Sequence, residues 1–356
     1  MSAASTRPLP ELRREDAPEF GGKSANLGDL LAAGIPVPTG FAVDAGAYRA
    51  FIAETGIDGT IAAALSRATS GDVQAVGAAS KAIDEAMRFA PLPDALRAEL
   101  HRRYDELAEA TGAQQPPVAV RSSALGEDSE DASHAGQQES FLWVRGIDHL
   151  CDAVRDCWVS LHTPQAISYR AARRRGGSHP AMGVTVQLMV DAAISGVMFT
   201  CNPVSGDSSM VAVNASWGLG IAVVSGELTP DDYLVSKITG EVVRRTVSSK
   251  PVEYVPDDAG RGTVRRDVPA ERRDEPCLDE AALSELVAVA QRIERHFGSH
   301  QDIEWAIARG RTLPDALLVL QSRPVTAVQQ APSTTGSAMS LIMSTFGASP
   351  KADERS

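Results

Sequence analysis

No stretch of this chain approaches the roughly 20 consecutive apolar residues that a helix needs to cross a bilayer. Its first residues, MSAASTRPLPELRRED, also lack the apolar core of a signal peptide, so a cytoplasmic protein is expected. Cysteine is scarce, with four residues in 356, at positions 151, 157, 201 and 277. None of them forms a C-x-x-C pair or a metal-finger spacing. Reduced thiols in a reducing compartment are therefore the simplest reading, and zinc has little support. Basic residues are outnumbered, 34 against 46 acidic, for a net charge of −12. That disfavours a broad electrostatic grip on nucleic acid, so any anion site must be local. Internal repeats of the solenoid or propeller kind are also missing.

What is present suits a globular enzyme: 43% of residues are hydrophobic and 22% charged. The length is enough for two domains or one two-lobed unit. Residues 1–11 read as a Pro-rich, charged leader. From 12 to 116 the pattern is mostly helical. KSANLGDLLAAG (23–34) ends on a glycine suited to a C-cap, 45–56 is helical, and 72–90 and 93–111 are separated by PLP. From 117 to 328 strands and helices mix. PPVAV, ESFLWV, GVTVQLMV, SGVMFT, MVAVNA, DYLVSK, EVVRRTV, QDIEWAI and ALLVLQS read as strands, with helices over 147–175 and 278–298. The polar stretch 251–276 reads as loops. Residues 329–356 read as a flexible tail with an apolar AMSLIMSTF patch. An α+β architecture with mixed or antiparallel sheets follows.

Three places carry candidate chemistry. GGKS at 21–24 resembles the end of a Walker A loop, but the position five residues before its second glycine is Ala17 and no apolar strand precedes it, so a P-loop is excluded. A lysine at a helix start remains: Lys23 is either an anion-binding point charge aided by the helix dipole or a solvated surface residue. The second place is VAVRSSALGEDSEDASHAGQQESF (118–141), where Arg121 is read at the point where a strand stops. Its planar fork can clamp phosphate oxygens in two places at once. The small and amide residues after it offer backbone donors for a loop over a triphosphate, GEDSED (126–131) reads as a solvated outer arm, and His134 reads as solvent-facing. The third is QDIEWAI with LLVLQSRPVT. Strand alternation puts Asp302 and Glu304 on one face, and Gln321 and Arg323 on one face of the other strand. If the strands are neighbours, the group suits either a magnesium nucleotide or a structural ion-pair ladder.

Taken together and in this order, GGKSANLGDLLAAGIPVPTGFAV, VRSSALGEDSEDASHAGQQESFL, GVTVQLMV with SGVMFTCNPVSG, VVSGELTPDDY, and QDIEWAI with LQSRPVT resemble the N-terminal nucleotide-binding domain of the phosphoenolpyruvate synthase and pyruvate phosphate dikinase family, which includes the rifamycin phosphotransferases. The resemblance covers roughly 12–328. It implies an ATP-grasp-like fold in which two α+β lobes hold ATP between their sheets. It also implies that Lys23, Arg121 and Arg323 contact the phosphates and that Glu304 and Gln321 hold Mg²⁺ with support from Asp302. Gln187 with Met189 and Val190 would form the adenine edge. A loop containing Ser133, Ala135, Gly136, Gln137, Gln138 and Ser140 would close over the triphosphate.

Three departures from the family pattern stand out. His134 occupies a position that is usually Phe, and Ile221 follows Gly220 where the family commonly has Glu. No T-S-H-A type histidine segment occurs in the chain. The resulting expectation is an ATP-dependent phosphotransferase component that splits Mg·ATP and passes phosphate to a histidine on a separate partner protein, with no nucleic acid or membrane involved. A stand-alone small-molecule kinase and a non-catalytic ATP-binding regulatory subunit are the alternatives.

Overall fold

The structure is a computed structural model and describes residues 5–68, 72–125, 140–172, 180–257 and 262–325. The chain divides into two compact units. One comprises Met1–Asp29, Thr39–Met189 and Gly260–Gly262; the other comprises Leu30–Pro38, Val190–Ala259 and Thr263–Ser356.

In chain order the first unit contains β1 (Thr6–Pro8), α1 (Ala17–Phe20), the start of α2 (Gly22–Ala32), β2 (Gly40–Val43), α3 (Ala45–Thr55), α4 (Asp58–Arg67), α5 (Val73–Phe89) and α6 (Asp94–Thr111). It continues with β3 (Val118–Ala124), β4 (Ser140–Val144), α7 (Ile147–Val159), α8 (Pro164–Ala172) and β5 (Met182–Leu188). The helix starts are chemically marked. Asp44 accepts from the N–H of Ala47 at 2.7 Å and Asp72 from that of Ala75 at 3.0 Å, each satisfying a donor that the first turn leaves open. Gly56 and Gly112 end α3 and α6 in the left-handed region that a side chain disfavours.

The strands form a five-stranded antiparallel sheet in the order β1-β2-β5-β3-β4. One face is apolar. Phe41, Val43, Val118, Val120, Met182, Val184 and Val186 pack with side chains of α3 to α7 into a single core. At its centre Trp158 is fully buried, stacked on Phe51 with ring centroids 5.4 Å apart. Each large side chain removed from water in this way contributes about 1.5–3 kcal/mol.

The second unit contains β6 (Ala192–Phe199), β7 (Met210–Trp217), α9 (Ile221–Val224), β8 (Asp231–Ser236), β9 (Val242–Thr246), β10 (Val252–Pro256), β11 (Thr263–Asp267), α10 (Glu280–Phe297), β12 (Gln301–Ala308) and β13 (Leu317–Pro324). Six strands form an antiparallel sheet in the order β13-β12-β6-β7-β8-β9, and β10 and β11 form a separate hairpin. Helix α10 starts on Asp279, whose carboxylate accepts from the N–H of Ala282 at 2.8 Å. It ends at Gly298 and packs on β12.

A buried polar knot braces this unit. The fully buried Lys250 ammonium lies 2.6 Å from the equally buried Asp231 carboxylate. Asp231 also accepts from the backbone N–H groups of Ser248 and Cys277 and from the Tyr233 hydroxyl. Those donors compensate the desolvation that would otherwise expel the charge.

Several sequence expectations change. Residues 6–8 are not leader but an edge strand on β2, and Leu9 and Leu12 are fully buried. The division expected at 116/117 does not coincide with the compact units, because the helices before it pack on the sheet made by the strands after it. Arg121 is not at a strand end: β3 runs on to Ala124, since Arg121–Ala124 pair with Thr185–Met182 of β5. The expected loop 251–276 contains the β10–β11 hairpin, whose alternation is hidden by exposed arginines on β11. Helix α4 (Asp58–Arg67) has no counterpart among the expected elements, and the helix expected over 147–175 breaks at Thr163 before Pro164.

Candidate functional site

Arg121 and Gln187 fall on one face of the first sheet, and Asp302, Glu304, Gln321 and Arg323 on one face of the second; alternation explains why. In the first unit the even-numbered residues of β3 and β5 face the helical core. The odd-numbered ones, Ala119, Arg121 and Ser123 opposite Gln187, Thr185 and Gly183, therefore face the other way. This second face is polar yet largely shielded: Arg121 is 9% exposed, Gln187 1% and Thr185 0%. Ser140, the first residue of β4, is exposed and pairs with Arg121.

The start of α2 is fixed to this polar face. The Ser24 N–H donates to the Ser123 hydroxyl at 3.2 Å, and the Ser24 and Thr185 hydroxyls are 2.7 Å apart. The approach is close enough that a Cβ on Gly21, which has φ +82°, would stand 2.3 Å from the Ser123 carbonyl oxygen. Only glycine fits there. Lys23, 5% exposed, thus belongs to a helix start that is bolted to the strands carrying Arg121 and Gln187. At the end of β5 the Met189 N–H is already committed to the Pro117 carbonyl at 2.9 Å, so a base could be read there only through other groups of the segment. Val190 follows, buried, and opens the second unit.

In the second unit β12 and β13 are neighbours, with Asp302 opposite Arg323 and Glu304 opposite Gln321. Two carboxylates, an amide and a guanidinium therefore share one face. A bulge immediately after Glu304 shifts the register of the later pairs. Across β6 the same face continues through Phe199 and Val197, which cluster with Ala212 and Leu234 into an apolar patch beside the polar group. Arg323 Nε donates to Asp302 Oδ2 at 2.9 Å. Burial pushes the Asp302 carboxyl above its ordinary value; the Arg323 charge opposes that and the neighbouring Glu304 adds to it. On the opposite face Ser322 donates to the Gln301 amide oxygen at 2.9 Å, and the Gln301 N–H donates to the Thr200 hydroxyl at 2.8 Å, fixing where β12 begins.

The sequence reading missed these bracing residues, Ser24, Ser123, Thr185, Thr200, Gln301 and Ser322. Alternation around Arg121 would have found Ser123, whereas Thr185 and Thr200 needed the strand order. Ser133, His134, Ala135, Gly136, Gln137 and Gln138, with the 126–131 arm, lie outside the described residues. Among the described residues no cluster of His, Cys, Asp or Glu forms a metal site, and no helix is long and apolar enough to cross a membrane. An oxygen set of two carboxylates and an amide is nonetheless the hard-donor chemistry that Mg²⁺ accepts, since that ion keeps several ligands from water and phosphate.

Residues 17–340 match the family described as the pyruvate phosphate dikinase AMP/ATP-binding domain. A protein of Methanothermobacter thermautotrophicus named probable phosphoenolpyruvate synthase is 39% identical over 341 residues, covering 96% of this chain and 49% of that protein. One of Methanocaldococcus jannaschii with the same name is 38% identical over 322 residues, covering 90% of this chain and 27% of that protein. The phosphoenolpyruvate synthase of Pyrococcus furiosus is 36% identical over 357 residues, covering 90% of this chain and 43% of that protein. The chain thus spans less than half the length of each of these relatives. On the match across most of its length, it belongs to the pyruvate phosphate dikinase AMP/ATP-binding domain family.

Proposed function

We propose that this protein is the ATP-splitting component of a phosphotransferase, with an ATP-grasp-like fold, and that it passes phosphate from Mg·ATP to a histidine on a separate partner protein. The observation that carries the reading is the β12–β13 register, which sets Asp302 against Arg323 and Glu304 against Gln321 on one face. Membership of an AMP/ATP-binding family and the names of the relatives support it.

Phosphoryl transfer asks a protein mainly for positioning and charge stabilisation. Lys23, Arg121 and Arg323 are the cations assigned to the phosphates. Gln187 and the Met189–Val190 segment are assigned to the base. Ser140, with Ser133, Ala135, Gly136, Gln137 and Gln138, is assigned to the covering loop. Glu304 and Gln321 would hold Mg²⁺, with Asp302 orienting Arg323; the ion, when bound, neutralises charge on the phosphate oxygens. In the proposed reaction ATP, water and the histidine give phosphohistidine, AMP and inorganic phosphate.

The test is to incubate the purified protein with Mg·ATP alone, then with each product of the neighbouring genes, and to follow AMP, ADP and phosphate. AMP formed only with a second protein is the expected result. ADP formed with a metabolite and no second protein would replace the reading with a direct kinase, and binding without turnover would replace it with a regulatory subunit.

A further inference from the structure

Trp143 stands out on β4 for its backbone, its burial and its indole nitrogen. Its φ is +59°, and it is the non-glycine residue with positive φ among the described residues. A bulky aromatic there crowds its Cβ against the following carbonyl, at a cost of roughly 1–2 kcal/mol that surrounding structure must offset. The register shows the cause. Val118 pairs with Val144 and Val120 with Phe141, so Leu142 and Trp143 together stand opposite Ala119. Such a bulge re-aims a side chain, and strain of this kind concentrates at ligand sites.

The re-aimed side chain points toward the polar face. Phe141 and Val144 pack against the helical core. The Arg145 guanidinium lies 5.7 Å from the Trp143 ring centroid, which puts 143 and 145 on the same side, away from Val144. Ala119, the residue opposite the bulge, pairs in turn with Gln187, and Arg121 follows two residues along β3. Trp143 thus lies level with Gln187 on the face that carries Arg121. Its side chain is 6% exposed, and the indole N–H is buried with no hydrogen-bond acceptor among the described residues. The Trp143 carbonyl, in contrast, accepts from the Gly262 N–H. A buried donor left unpaired costs about 1–3 kcal/mol and calls for an acceptor.

We propose that Trp143 contacts the bound nucleotide, with its indole N–H donating to an acceptor of the base or ribose while its ring packs against that group. The inference rests on the reading of the Arg121 and Gln187 face as a nucleotide half-site, and it adds a specificity residue to it.

The experiment measures ATP affinity by calorimetry, melting temperature and tryptophan emission for the wild type and two variants. Trp143→Phe keeps a ring but loses the donor; Trp143→His keeps a ring N–H and suits positive φ better. Expected are ATP binding about tenfold weaker in W143F without loss of thermal stability, W143H within about threefold of the wild type, and an ATP-induced emission change in the wild type that W143F lacks. Wild-type affinity in W143F, or equal losses in both variants, would overturn the donor role. An emission change unaltered in W143F would overturn the contact. Failure of the wild type to bind ATP at all would instead remove the parent reading, and this inference with it.

Discussion

Asp302 and Arg323 face each other across adjacent strands, with the guanidinium Nε 2.9 Å from one carboxylate oxygen and the carboxylate almost wholly shielded from water. This pair sits one alternation step from Glu304 and Gln321, so the charge that orients Arg323 also borders the proposed metal ligands.

Burial raises the Asp302 pKa above the ordinary value of 3.8, against the pull of Arg323. Between those two values the native state holds a proton that the unfolded chain has released, so stability falls as pH rises through that window and the penalty persists above it. Asp302→Asn removes this titration. Melting temperatures of the nucleotide-free protein across acidic pH are expected to show the wild type losing stability relative to D302N as pH rises above 3.8. Parallel profiles would contradict the assignment.

Arg121→Ala and Glu304→Ala are each expected to lower product formation by at least on the order of 10²–10³, the loss that follows removal of one preorganised charge-stabilising group. Circular dichroism should remain that of the wild type. Wild-type turnover in either variant would remove the site assignment.

Gly21 adopts φ +82° and ψ 158°, a region open essentially to glycine, directly against the Ser123 backbone. Gly21→Ala should destabilise by about 2–5 kcal/mol from the strained dihedral and the overpacked contact combined. Because the same contact sets the start of α2, ATP affinity should fall in the folded fraction as well. Denaturant melts and nucleotide titration measure the two effects separately.

Lys250→Met leaves the Asp231 carboxylate buried with its backbone donors but without its counter-charge. Breaking a buried pair from one side costs about 3–5 kcal/mol, and urea unfolding is expected to report that loss. The pair is structural, so ATP turnover per folded molecule should stay close to that of the wild type.

Much of this protein was legible in its residues alone. The periodicities of Val73–Phe89 and Glu280–Phe297 and the capping glycines set the main helices, because helix formation is governed by neighbours three and four residues apart. The two-residue alternation in QDIEWAI and LQSRP likewise fixed that Asp302 shares a face with Glu304 and that Gln321 shares one with Arg323. It could not fix that the two faces are the same one, since strand neighbours and register depend on contacts remote in sequence. Tertiary structure alone decided that Arg121 lies within a strand and that residues 6–8 complete a sheet. It also decided that Ser24, Ser123 and Thr185 hold the lysine-bearing helix and that a bulge in β4 gives Trp143 its positive φ. Each of these is a hydrogen-bond or packing choice between distant segments, and local propensity carries no information about which distant segment will be chosen.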